Sequence, residues 1–207
     1  GGAILIGVLE WNNPATLGDM PVWQKVLNSF FQSVTLRTAG FSGVDQAGLT
    51  DAGKIVSMVL MFIGGSSGST AGGVKTVTMV VLLLFVWNRM RGKETVCVFK
   101  RTIPKDKVMD AMTIVAIVMV LALAGGCFLC AVSGFSIADA MYETVSALAT
   151  VGLSSGGSGN LGVAGQLLII VYMYFGRVGV LTLSLGFLVG NRAQERYRYA
   201  ETNLLIG

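Results

Sequence analysis

The stretch GGSSGSTAGGVKT, residues 64–76, carries the residue types of a phosphate-binding loop: glycines, hydroxyls and a late Lys-Thr pair. A P-loop requires G-x-x-x-x-G-K-[ST] between a strand and a helix, so that backbone N–H groups cradle phosphates and the lysine reaches them. Gly68 and Gly73 have the spacing, but Val74 stands before Lys75, and the preceding SMVLMFI continues an apolar run. Cys127 and Cys130 form a C-x-x-C, a spacing used in redox and metal chemistry. They lie inside LALAGGCFLCAVSG, in a chain without histidine, and read as small residues on a membrane helix. A membrane-embedded hydrolase using the loop hydroxyls is the enzymatic alternative, yet no Ser-Lys or paired-carboxylate arrangement accompanies it. The chain therefore reads as a non-enzyme with no organic cofactor.

The elements that must position these residues are apolar. The 207 residues are 53% hydrophobic and 13% charged, with a mean hydropathy of +0.71. A soluble domain carries about a quarter charged residues, so the class is integral membrane protein. The 28 glycines fit, because transmembrane helices tolerate glycine. GAILIGVLE at the start reads as the end of a span, and the chain as the C-terminal part of a longer protein.

The net charge of +4 is concentrated locally. Arg89, Arg91, Lys93, Lys100, Arg101, Lys105 and Lys107 face only Glu94 and Asp106 within 88–107; Arg192, Arg196 and Arg198 form a second group. Residues 154–166 contain no basic side chain. The positive-inside rule places the 88–107 loop and the C-terminus in the cytoplasm and 154–166 outside. Nucleic acid is excluded as a partner, because the basic residues simply bracket apolar spans.

Four apolar regions emerge at 1–9, 55–86, 108–132 and 167–189. A helical crossing needs about 20 residues, so the third and fourth each cross once. The second is longer, and its middle is almost entirely Gly, Ser, Thr and Ala. Glycine loses the most backbone entropy on ordering, and non-helical backbone at membrane depth survives only when buried in protein or lining a polar path. Residues 64–73 are therefore expected to break a helix beside such a path.

Between these regions lies a repeat of about a hundred residues. Phe31-Gln32-Ser33-Val34-Thr35 matches Tyr142-Glu143-Thr144-Val145-Ser146, and Thr38-Ala39-Gly40-Phe41-Ser42 matches Thr150-Val151-Gly152-Leu153-Ser154. Each copy has the order span, short helix, glycine turn, span. A short amphipathic helix followed by Thr-x-Gly fits a re-entrant pore helix and filter. Gly40 and Gly152 permit a backbone that turns its carbonyls inward, where they replace the hydration shell of a cation, as in the T-V-G-Y-G loops of potassium channels. The candidate K+ ligands are the backbone carbonyls of Thr38, Ala39, Gly40 and Phe41, and of Thr150, Val151, Gly152 and Leu153.

With TLRTAGFSG, MFIGGSSGSTAGGVKT, ETVSALATVGLSSGG, YMYFGRVGVLT and ETNLLIG, the chain resembles the C-terminal half of the Trk/Ktr/HKT superfamily of potassium transporters, most of all the Ktr-type membrane subunit. The resemblance covers essentially the whole chain. It implies an all-α integral membrane protein with span–pore helix–span repeats, re-entrant filter loops and a potassium-channel-like pseudo-fourfold pore. The segments are then 1–9, the end of the third repeat's first span; 10–54, its pore helix and filter; and 55–91, its broken second span. A cytoplasmic loop, 92–107, leads to the fourth repeat: first span 108–132, pore helix, filter and outer loop 133–164, and second span 165–190. The cytoplasmic tail is 191–207. Ala39 departs from T-V-G and puts strict fourfold equivalence of the ion sites in doubt.

The resemblance also implies gating by the loop Gly64, Gly65, Ser66, Ser67, Gly68, Ser69, Thr70, Ala71, Gly72 and Gly73. Lys75 has two readings: it faces the cavity and repels cations, or it reaches toward the cytoplasm. Arg177 interrupts the fourth apolar region, where a charge is costly without an interior role or partner. The resemblance places it beneath the filter, against the loop near 66–70; a carboxylate on a neighbouring helix is the alternative. Arg37 and Glu143 brace the filters or act on ions at the mouth, whereas Asp45 and Asp51 read as a solvated, helix-capping rim. The implied function is K+ uptake across the cell membrane, passive or Na+-coupled, with an uncoupled ion channel as the alternative. Implied partners are membrane lipid, a second copy in a homodimer, and a cytoplasmic ring of nucleotide-binding regulatory subunits; the closing LLIG reads either as part of the dimer contact or as a frayed end.

Overall fold

The structure is a computed structural model and describes residues 1–66, 68, 71–92, 96–98 and 101–178. Ser67, Ser69 and Thr70 of the glycine-rich loop lie outside the described residues. So do Lys93, Lys100, the end of segment 165–190 and the whole of 191–207.

Seven helices occur among the described residues: α1 (Gly2–Glu10), α2 (Val22–Thr35), α3 (Asp51–Phe62), α4 (Thr76–Met90), α5 (Lys105–Ser133), α6 (Ile137–Leu148) and α7 (Val163–Val178). The order helix, short helix, Thr-x-Gly turn, helix occurs twice, as α1–α2–turn–α3 and as α5–α6–turn–α7. Among the described residues, only α5 is long and apolar enough by itself to cross a membrane, with a mean hydropathy of 2.7 over its best window. Its 29 residues extend about 43 Å at 1.5 Å per residue. The helix begins at Lys105, before the apolar run, because Pro104 precedes a first turn whose Lys105, Asp106 and Lys107 are exposed.

The expectation of an all-α chain needs one correction. Val96–Val98 (β1) and Arg101–Ile103 (β2) pair antiparallel, with Cys97 opposite Thr102. Both segments are rich in β-branched residues, which favour extended backbone.

Short polar side chains start the key helices. The Thr50 hydroxyl accepts from the Gly53 N–H and begins α3; Ser136 accepts from the Asp139 N–H and begins α6, each satisfying a donor that the first turn leaves open. Asp51 therefore lies in the first turn of α3 rather than at its cap, and Asp45 accepts from the Ala47 N–H in a local turn. At the end of α1, the buried Glu10 carboxylate accepts from Asn13 Nδ2 at 2.6 Å, Thr16 Oγ1 at 2.8 Å, Thr50 Oγ1 at 2.6 Å and the Thr50 N–H at 3.0 Å. It thereby fastens the loop after α1 to the start of α3.

α6 sits at the centre, packed on α3, α5 and α7. Its own Tyr142 is fully buried in a core that also holds the fully buried Leu36 and Met61. Glycines bring the helices close: a Cβ on Gly125 of α5 would lie 2.4 Å from the Tyr172 ring, and one on Gly126 would lie 2.3 Å from Met141 Sδ. Cys127 and Cys130 are free thiols on the same helix, with Cys130 Sγ donating to the Phe135 carbonyl. Large apolar side chains on α2 and α4 remain exposed, among them Trp23, Phe30, Leu83 and Trp87. Such extensive apolar surface marks contact with lipid or other protein.

One ion pair joins the two units: Lys54 on α3 to Asp139 on α6 at 2.7 Å. Burial pushes the Asp139 carboxyl up, but hydrogen bonds from Lys54 and Ser136 and the Lys54 charge hold it below the usual carboxylate range. A depressed folded-state pKa means that the stabilisation is present above the unfolded value and lost as pH falls through the folded one. In detergent, the melting temperature of the full-length protein should therefore fall as the solution is acidified through that lowered value. Asp139→Asn should start lower at neutral pH and lose this component; identical acid profiles for the two proteins would contradict the assignment.

Candidate functional site

The two Thr-x-Gly turns share one backbone signature. Among the described residues, Thr38 at φ 69° and Thr150 at φ 54° are the only non-glycine residues with positive φ, and Gly40 and Gly152 follow at 77° and 88°. A β-branched residue there is a true outlier, unfavourable by about 1–3 kcal/mol and retained where the surroundings enforce it. Ala39 and Val151, between them, have negative φ.

The short helices enforce this geometry. The N–H groups of Ala39 and Gly40 return to the Thr35 carbonyl, and the Val151 N–H returns to Ser146. Each turn hangs from a helix C-terminus, the end that carries about half a negative elementary charge and favours a nearby cation. Behind the first turn, Thr35 Oγ1 donates to the Phe41 carbonyl at 2.6 Å; behind the second, Ser146 Oγ donates to the Leu153 carbonyl at 2.6 Å. The hydroxyls draw the Phe41 and Leu153 carbonyls toward the helices. Of the eight carbonyls named from the sequence, those of Thr38, Ala39, Gly40, Thr150, Val151 and Gly152 lack such a hydroxyl brace among the described residues.

The turns meet. A Cβ on Gly40 would lie 2.3 Å from the Val151 carbonyl oxygen, so only glycine permits the approach. At Gly152 nothing stands within 4 Å of that position. Glu143 accepts from Ser154 Oγ at 2.6 Å and from the Ser155 N–H at 2.9 Å, bracing the strand beyond the second turn. Its counterpart Gln32 is buried, and Arg37 is exposed.

The glycine-rich loop lies against the second turn. Its base is closed by backbone bonds from Gly64 N–H to Val74 O, Val74 N–H to Phe62 O, and Thr76 N–H to Gly65 O. The Gly72 N–H donates to Thr150 Oγ1 at 2.9 Å. A Cβ on Gly72 would come within 2.5 Å of that hydroxyl, and one on Gly73, at φ 69°, would meet Ala149 at 3.3 Å. Lys75 precedes α4, where a positive charge opposes the helix dipole; its Nζ donates to the Ala71 carbonyl. It thus folds onto the loop.

Arg177 stands in the last turn of α7. It lines, with Glu143, Thr150, Gly152 and Met173, a cavity of about 400 Å³ beside the second turn. Neither Arg177 nor Lys75 is unpartnered. Next to Arg177, Gly176 brings α7 onto the turn, where a Cβ would lie 2.2 Å from the Leu148 carbonyl oxygen. Sequence reasoning passed over Gly176 and the Gly72–Thr150 bond. A glycine beside a mid-span arginine was the available signal for the first; no motif marks the second.

The family model described as "TrkH: Cation transport protein" matches residues 3–196. The chain is 38% identical over its full length to the potassium/sodium uptake protein NtpJ of Enterococcus hirae, covering 47% of that protein. It is 35% identical to Ktr system potassium uptake protein B of Vibrio alginolyticus, with all of the chain matched against 45% of that protein. It is 34% identical to the protein of the same description from Bacillus subtilis, with 99% of the chain matched against 45% of the relative. The chain thus spans about half the length of the curated relatives it matches.

Because the obstructing atom at Gly176 is a backbone carbonyl, Gly176→Ala should force α7 off the second turn. The expected loss is about 1–3 kcal/mol, typical of overpacking, read as a lower melting temperature in detergent. An unchanged melting temperature would contradict that contact.

Proposed function

The chain belongs to the TrkH family of cation transport proteins, and from that premise we propose that it is half of a cell-membrane potassium uptake protein, selecting K+ at the two Thr-x-Gly turns. The single observation carrying this reading is the paired strain at Thr38 and Thr150, with Gly40 against the Val151 carbonyl. The proposed ligands are the carbonyls of Thr38, Ala39, Gly40, Thr150, Val151 and Gly152, with α2 and α6 as pore helices. Carbonyls so arranged substitute for water around a desolvated cation. The open space at Gly152 suits a further turn of the same kind, as a pseudo-fourfold pore requires.

The 64–73 loop is the proposed gate. Its contact from Gly72 to Thr150 sets it directly against the selecting turn, and its small residues allow displacement without repacking a large side chain. Lys75, folded onto Ala71, adds positive charge to the closed loop. Arg177 lines a cavity that also includes Thr150, the residue the loop touches, and is proposed to hold the loop closed. Residues 88–107 and the C-terminal tail are the proposed cytoplasmic surfaces.

Two relatives are described as parts of a Ktr system. That description favours a separate regulatory component, proposed as a nucleotide-binding ring, beside a membrane-embedded homodimer. The name potassium/sodium uptake protein carried by another relative favours sodium dependence. An uncoupled channel is the second reading, whereas a hydrolase gains no support from relatives named for uptake.

Radiotracer K+ uptake by the full-length protein in proteoliposomes, with and without sodium, tests coupling: sodium should accelerate uptake, and indifference to sodium would favour the channel. Gly152→Asp should abolish or severely reduce discrimination between K+ and Na+; full discrimination in the folded variant would overturn the turn assignment. Arg177→Ala should raise K+ flux several-fold or weaken its regulation, whereas wild-type flux and regulation would remove Arg177 from the gate.

A further inference from the structure

Behind the two turns lies a buried polar cluster that no motif announces. Gln32 on α2, Gln46 beyond the first turn and Tyr142 on α6 are each at most 4% exposed. Gln46 Oε1 accepts from Gln32 Nε2 at 2.6 Å and from the Tyr142 hydroxyl at 2.9 Å. Gln46 Nε2 donates to the Val44 carbonyl at 2.7 Å and to Gln32 Oε1 at 3.2 Å. One amide side chain therefore holds its own unit's helix, the strand leaving its own turn, and the short helix of the other unit.

α6 uses adjacent residues for the two turns. Glu143 holds Ser154 and Ser155 beyond the second turn; Tyr142 reaches Gln46 beyond the first. At the place matching Tyr142, the first unit has Phe31, which is half-exposed and has no hydroxyl to offer. The interaction between units is thus specific to this junction. Its two partners flank the turns in the chain, Gln46 six positions after Gly40 and Tyr142 eight before Thr150.

We propose that Gln46 and Tyr142 form a clasp between the two repeats, acting as positioning residues that set the distance between the selecting turns and thereby cation discrimination. The proposal rests on reading those turns as the selectivity element. A buried amide and phenol satisfied by each other and by nearby backbone, amide and hydroxyl groups form a stiff connection, since any separation strands polar groups without water.

The test compares full-length wild type, Tyr142→Phe, Gln46→Met and the double variant in proteoliposomes, with K+ and Na+ uptake and melting temperature measured for each. Tyr142→Phe should fold, because phenylalanine occupies the matched place in the first unit. Its K+-over-Na+ discrimination should fall about five-fold, the factor associated with one net hydrogen bond. The double variant should lose no more than the worse single variant, as expected for residues acting through one contact. Wild-type discrimination in Tyr142→Phe, or additive losses in the double variant, would overturn the clasp. Gly152→Asp serves as the reference: if it abolishes discrimination while Tyr142→Phe keeps the wild-type value, the turns select and the clasp fails. If neither variant alters discrimination, the assignment of the turns fails as well.

Discussion

A branched residue held at positive φ is locally unfavourable, and this chain holds one at two matched places, Thr38 and Thr150. The rest of the structure is arranged around keeping that backbone in place. Each strained threonine follows a short helix whose last carbonyls collect the N–H groups of the turn. Each turn is then pulled back on its far side by a hydroxyl, Thr35 in one unit and Ser146 in the other. The helices are held in turn by α5, whose glycines let α6 and α7 approach its backbone, and by the Lys54–Asp139 pair. In the proposed function, this rigidity is what a dehydrating site needs, because carbonyls that moved freely would be poor substitutes for water.

The proposed gate touches the proposed selecting turn where the loop backbone meets the Thr150 side chain. The Gly72 N–H uses the hydroxyl of Thr150, and no side chain larger than hydrogen fits at position 72. α7 reaches the same turn from the other side through Gly176. Glycine at both contacts has a common physical cause: two backbone segments approach the turn more closely than a Cβ allows. The loop is pinned at its base by main-chain bonds that tie Phe62, Gly64 and Gly65 to Val74 and Thr76.

The apolar run and the paired Thr-x-Gly motifs were legible because burial in lipid and strained turns demand particular residue types. α5 lies over the third apolar run, and both turns follow short helices of mixed polarity. The repeat is not a rigid copy, however. Thr38 follows Thr35 by three positions, whereas Thr150 follows Ser146 by four, an offset that motif matching absorbs without notice. Which carbonyls are braced from behind was also hidden, because it depends on where Thr35 and Ser146 send their hydroxyls. The strand pair 96–98 and 101–103 is encoded by β-branched residues within a charged loop, where the charges dominated the reading. Lys54 and Asp139 are 85 residues apart, and only the packing of α3 on α6 brings them together.

The most direct measurement is anomalous scattering from crystals of the full-length protein grown with rubidium or thallium in place of potassium. The account predicts cation peaks on an axis beside the Val151 and Gly40 backbones, within inner-sphere distance of carbonyl oxygens from both turns. Carbonyls at 38–40 and 150–152 turned away from any shared axis, with the heavy cation bound elsewhere, would contradict it.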